Sequence, residues 1–120
     1  MASGEPYDGR ERRRARRYKV NLHARWEGEW ASREATVTDL SDYGCFILTE
    51  DLVKVGEMVR LELRLPRGGQ ITLWGSVVYR VEEIGFALTF SRFLHEDDRK
   101  RLEWLVRAEA HRSEMMNNDE

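Results

Sequence analysis

Apolar and polar residues alternate along most of this chain, and the period changes once, near the C-terminus. Val20, Leu22, Ala24 and Trp26 alternate with Lys19, Asn21, His23, Arg25 and Glu27. That period of two predicts a half-buried strand, ended by Gly28. Trp30 to Ser32 reads as a short hairpin arm continuing from it. A second strand is predicted over Glu34–Asp39. "LSDYG" then reads as a turn, since Asp, Ser and Gly each favour turn geometry. "CFILTE" follows as a short third strand. The clearest alternation comes after Gly56, with Val59, Leu61, Leu63 and Leu65 on one face and Met58, Arg60, Glu62 and Arg64 on the other. Pro66 stops this strand and "PRGGQ" makes a tight connection. Ile71 to Val81 is long and β-rich, and Gly75 inside it predicts a bulge or a close backbone approach. After "EEIG", Phe86, Leu88 and Phe90 share one side of a sixth strand.

From His95 the period becomes helical. In "HEDDRKRLEWLVRAEAHR", Leu102, Leu105 and Val106 fall on one face. Glu96, Asp97 and Asp98 lie in the first turn and His111 and Arg112 in the last, as the helix dipole favours. Six closely spaced strands and one helix predict an all-β-dominated fold: a small six-stranded antiparallel β-barrel with a C-terminal α-helix, which plugs one end or packs outside. A chain of 120 residues suits one core. The expected organisation is a disordered arm over 1–11, the barrel and helix over 12–112, and a disordered tail over 113–120.

Composition, 41% hydrophobic and 35% charged, is that of an ordinary globular domain. No stretch approaches the roughly 18 apolar residues that cross a bilayer, and no apolar segment follows Met1. Neither membrane insertion nor a signal peptide is expected, and the reading is cytoplasmic. The single Cys45 leaves no internal disulfide. Charge alters the picture more. Between Arg10 and Lys19 lie six Arg and one Lys against a single Glu, within a chain of net charge −2. A basic segment on an acidic body suits a local anion site. A nucleic-acid coat spreads positive charge over a whole face, so DNA or RNA is not the expected partner.

Enzyme signatures are absent: there is no Walker loop, GxGxxG, GxSxG or HExxH. His23, His95 and His111 are far apart and Cys45 has no CxxC partner, so neither a catalytic nor a metal site is expected. Two stretches remain. "RRRARRYKV" spaces Arg13 and Arg17 four apart, and likewise Arg12 and Arg16, just ahead of the first strand. A bare basic run is commonly a solvated tail. Arginine, though, grips phosphate and guanine O6/N7 bidentately and stacks on bases. "DLSDYG" places Asp39, Ser41 and Gly44 as D-x-S-x-x-G. Alone it is a turn. It also offers a carboxylate for guanine N1–H and N2–H, a hydroxyl for a base edge or phosphate, and a glycine open to close approach.

R-x-x-x-R before a first strand, with D-x-S-x-x-G before the third, resembles the PilZ family of small bacterial β-barrels, many of which bind cyclic di-GMP. "VNLHARW", "LSDYGCFILTEDLVKVGEMVRLELRLP", "WGSVVYRVEEIGFALTF" and "DDRKRLEWLV" extend the resemblance from Arg10 to Arg107. It implies a receptor rather than an enzyme. Cyclic di-GMP would be held by Arg13, Arg17, Asp39, Ser41 and Gly44, with Arg12/Arg16 as the alternative arginine register. Arg12, just before the first motif arginine, implies two ligands per chain. The resemblance further implies a conformational switch that signals to an unidentified protein partner. Tyr43 departs from the small residue common before the last glycine of the motif. The alternative is a PilZ-like protein-interaction module that binds no nucleotide.

Overall fold

The computed structural model describes residues 16–118, with side chains as far as Arg112. Six strands follow in order: β1 (Tyr18–Glu27), β2 (Ser32–Leu40), β3 (Gly44–Leu48), β4 (Met58–Arg64), β5 (Gln70–Val81) and β6 (Gly85–Phe93). A helix, α1 (Glu96–Asn118), completes the fold. Every strand pairing is antiparallel, and the sheet closes into a barrel in the order β1-β2-β3-β6-β5-β4. The barrel and helix expected from the alternation are therefore both present.

Closure turns the inward half of each alternating strand into one core. Ala24, Trp26, Val59, Leu61, Leu63, Ile71, Leu73 and Phe86 are all fully buried. Trp26 and Phe86 meet edge to face at 5.3 Å. Leu102, Leu105 and Val106 of α1 join the same core, and α1 rests on β1, β5 and β6. Each large apolar side chain so buried is worth about 1.5–3 kcal/mol. The helix covers the barrel end that carries the start of β1 and the β4–β5 connection, where Arg101 donates to the Gln70 carbonyl.

Gly75 shows both effects its position predicts. The β5–β6 register shifts between Trp74 and Gly75, and a Cβ on Gly75 would lie 2.4 Å from the Thr89 carbonyl oxygen. Gly68 and Gly69 take φ of 105° and 85°, letting "PRGG" close on Leu65. Three boundaries differ from the periodicity. Trp30 lies in the β1–β2 turn, and β2 begins at Ser32. β3 ends at Leu48, because Thr49 and Asp51 bond one another in a turn. The helix runs on to Asn118, so His111 and Arg112 sit inside it and its last turn holds no basic residue. Residues 113–118 contain no Gly or Pro, so nothing in them stops a helix.

Candidate ligand-binding site

β-Register gathers the site on one outward row of the barrel. Lys19 pairs with Asp39, Asp39 with Phe46, Phe46 with Ala87 and Ala87 with Tyr79. Inward neighbours on these strands, Leu40, Cys45, Ile47, Phe86 and Leu88, are buried. Asp39, Phe46 and Tyr79 therefore face outward together. The Asp39 side chain is 21% exposed, and Lys19 Nζ lies 3.4 Å from its Oδ1. Lys19 itself is 91% exposed, so this pair is weak and easily exchanged for another partner. Phe46 and Tyr79 have ring centroids 6.3 Å apart, across Ala87. Arg17 reaches the same face: its Nη1 donates to the Tyr79 hydroxyl at 3.4 Å. Arg16 is exposed. Arg12 and Arg13 lie outside the described residues.

Ser41 and Gly44 build the turn that presents Asp39. Ser41 is buried at 5% exposure, and its Oγ accepts from the amides of Tyr43 and Gly44, each at 3.1 Å. The Ser41 amide donates to the Gly44 carbonyl at 2.9 Å. A Cβ on Gly44 would lie 2.4 Å from the Leu88 carbonyl, so glycine is required there by the approach of β6. Tyr43 keeps an exposed ring while its carbonyl accepts from the Phe90 amide at 2.8 Å. Sequence reading assigned Ser41 and Gly44 to ligand contact. The structure gives both a separate, structural reason to be what they are.

Asp42 couples this turn to the helix. Its pKa is raised, first by partial burial and then by Glu103, against the lowering influence of Arg107 and Arg99. Cys45, which pairs with Leu40 next to Asp39, is buried. Burial pushes its thiol pKa well up, with a further push from Asp39, so it stays an inert thiol. Among the described residues no three His, Cys, Asp or Glu side chains come together as a metal site. No helix among them is long and apolar enough to cross a membrane. Phe46 and Tyr79 escaped the motif reading. They stand 33 positions apart in sequence, and only barrel closure makes them neighbours. The one available signal was that both are aromatics in predicted strands.

A family model for the PilZ domain matches residues 11–108, and the chain belongs to that family. Solved structures agree in fold. The Bacillus subtilis inhibitor of motility, MotI/DgrA, superposes with a TM-score of 0.67 at 21% identity over 83% of this chain and 52% of its own. MrkH of K. pneumonia, as a c-di-GMP complex, gives 0.68 at 18% identity over 84% and 52%. The PilZ domain of Escherichia coli YcgR with c-di-GMP gives 0.66 at 15% identity over 89% and 98%. The chain thus spans about half the length of MotI and MrkH. A search of the curated proteins found no match.

Proposed function

We propose that the chain is a cyclic di-GMP receptor that passes the binding event to a protein partner and catalyses no reaction. The observation that carries this reading is the shared outward face of Asp39, Arg17 and the Phe46–Tyr79 pair, in a chain of the PilZ family. Two of the similar structures, MrkH and the YcgR domain, are described as c-di-GMP complexes, which supports the same ligand here. Asp39 reads the N1–H and N2–H edge of a guanine, exchanging its exposed lysine for two charge-assisted hydrogen bonds. Arg13 and Arg17 neutralise the phosphates and hold the O6/N7 edge, with Arg12/Arg16 as the competing register. Ser41 and Gly44 act by fixing the turn that holds Asp39 in place. Phe46 and Tyr79 offer a π-face to a base. Arg12 adds a guanidinium for a second, intercalated ligand. An arm that orders over its ligand supplies the shape change that a partner reads.

Competition tests the specificity. Labelled cyclic di-GMP bound to the full chain is challenged with a large excess of GTP or GMP. Neither displaces it if both guanines and both phosphates are read together. Displacement by GMP at matched concentration reduces the site to a general guanine-nucleotide groove. Absence of nucleotide binding altogether favours the protein-interaction module.

A further inference from the structure

Outside this face, a cavity of about 550 Å³ opens between α1 and the covered barrel end. That size takes a large side chain or a small organic group. Leu22, Leu65 and Leu105 form its apolar floor, and Arg67, Arg101 and Arg112 stand around it. Two of these guanidiniums are held in place. Arg101 bonds Asp98 at 2.9 Å and the Gln70 carbonyl at 3.3 Å, and Arg112 pairs with the buried Glu109. A guanidinium has five N–H donors, so neither is used up by these contacts. Trp104 adds a wall that is 57% exposed. The chemistry suits a planar apolar group with a carboxylate beside it.

The chain carries such a group at the other end of β1. The β1–β2 turn reads Glu27–Gly28–Glu29–Trp30, and Trp30 at 69% is the most exposed large hydrophobic among the described residues. The turn is rigid. The Gly28 amide donates to the Ala31 carbonyl at 2.8 Å, and the Glu29 amide donates to the buried Glu57 carboxylate at 2.7 Å. Lys54 lies over the indole at 4.5 Å and holds its orientation. The barrel's own strands separate this turn from the cavity, so a chain does not fill its own groove.

We infer that the groove between α1 and the barrel receives the Glu29–Trp30 turn of a second copy of this chain. Trp30 enters between Trp104 and the leucine floor, and Glu29 meets the arginines. The contact is heterologous, so a pair keeps one free turn, on one chain, and one free groove, on the other, and the assembly can extend head to tail. One turn in one groove is a small interface, so association is weak and depends on concentration. Salt weakens it further, because the rim contacts are ionic and partly exposed. This inference does not depend on the nucleotide reading.

Sedimentation of the full chain over a concentration series reaching the millimolar range provides the test. The weight-average mass should climb above the 14.2 kDa of one chain without levelling at two chains. Trp30→Ala removes the inserted side chain, and Ala108→Arg fills the groove from α1. Each variant alone should stay monomeric with an unchanged circular dichroism spectrum. Their equimolar mixture should form a heterodimer that stops at two chains. Arg67→Glu, at the exposed β4–β5 connection, should weaken association at least several-fold even if Ala108→Arg does not fold. A wild-type chain that remains monomeric throughout overturns the inference. So does Trp30→Ala or Arg67→Glu associating like wild type, or a mixture of two folded variants that forms no heterodimer.

Discussion

Asp39 is the residue whose replacement separates recognition from folding. Its one salt-bridge partner among the described residues is a lysine that is 91% exposed, and surface pairs of that kind contribute about 0–1 kcal/mol. Asp39→Ala should therefore leave the melting temperature nearly unchanged. It should weaken cyclic di-GMP binding by about 1.5–3 kcal/mol, roughly 10- to 150-fold. Arg17→Ala should do the same, as should Arg13→Ala. If Arg12→Ala and Arg16→Ala weaken binding while Arg13→Ala and Arg17→Ala do not, the arginine register is shifted by one. Gly44→Ala should behave in the opposite way. Its new Cβ would press on the Leu88 carbonyl at 2.4 Å, so denaturation should show a loss of about 1–3 kcal/mol even without ligand. At this scale the sequence shows the turn motif but not how the turn is built. D-x-S-x-x-G is visible as a string, but the string does not reveal that Ser41 points into the turn. That depends on where β6 and the neighbouring amides lie.

At the scale of elements, the β2–β3 turn and α1 are electrostatically joined. Asp42 has a raised pKa through burial and through Glu103. The native state thus disfavours the ionised form. Relative stability is fully present below the usual carboxylate value of 3.8 and is lost as pH rises through the higher native value. Asp42→Asn should consequently stabilise the protein slightly at neutral pH, by about a few tenths of a kcal/mol given the solvent screening of an exposed group. The gain should vanish in denaturation experiments at pH below that value. An equal gain at all pH would mean that Glu103 and burial play no part. Strands whose two faces differ sharply were legible. β1 and β4 alternate cleanly because one face meets the core and the other water, and the Gly75 bulge was signalled by a glycine in a β-rich run. Ends were less legible. The stop of β3 depends on Thr49–Asp51 bonding, and the length of α1 depends on the absence of any breaker. Periodicity reports neither.

For the whole molecule, closure of the barrel decides what the site is. Lys19, Asp39, Phe46 and Tyr79 come from four strands and are brought into one row only by register. No local pattern predicts such a row, which is why the two aromatics were missed while the two motifs were seen. Ligand binding should join the arginine segment to this row. Hydrogen exchange followed with and without cyclic di-GMP should show protection rising over Arg12–Arg17 and over Asp39–Gly44. The β4 core strand should change little. Tight binding with unchanged exchange in both segments would remove the switch from the account.

The most direct test is a calorimetric titration of the full chain with cyclic di-GMP at moderate salt. The account predicts saturable binding at micromolar or tighter affinity, about −8 kcal/mol or better, with two ligands per chain at saturation. An Arg12→Leu variant should fall to one ligand per chain. No heat at tens of micromolar ligand, confirmed by an unchanged exchange pattern, would contradict the receptor reading itself. One ligand per wild-type chain, or two per Arg12→Leu chain, would contradict the role given to Arg12.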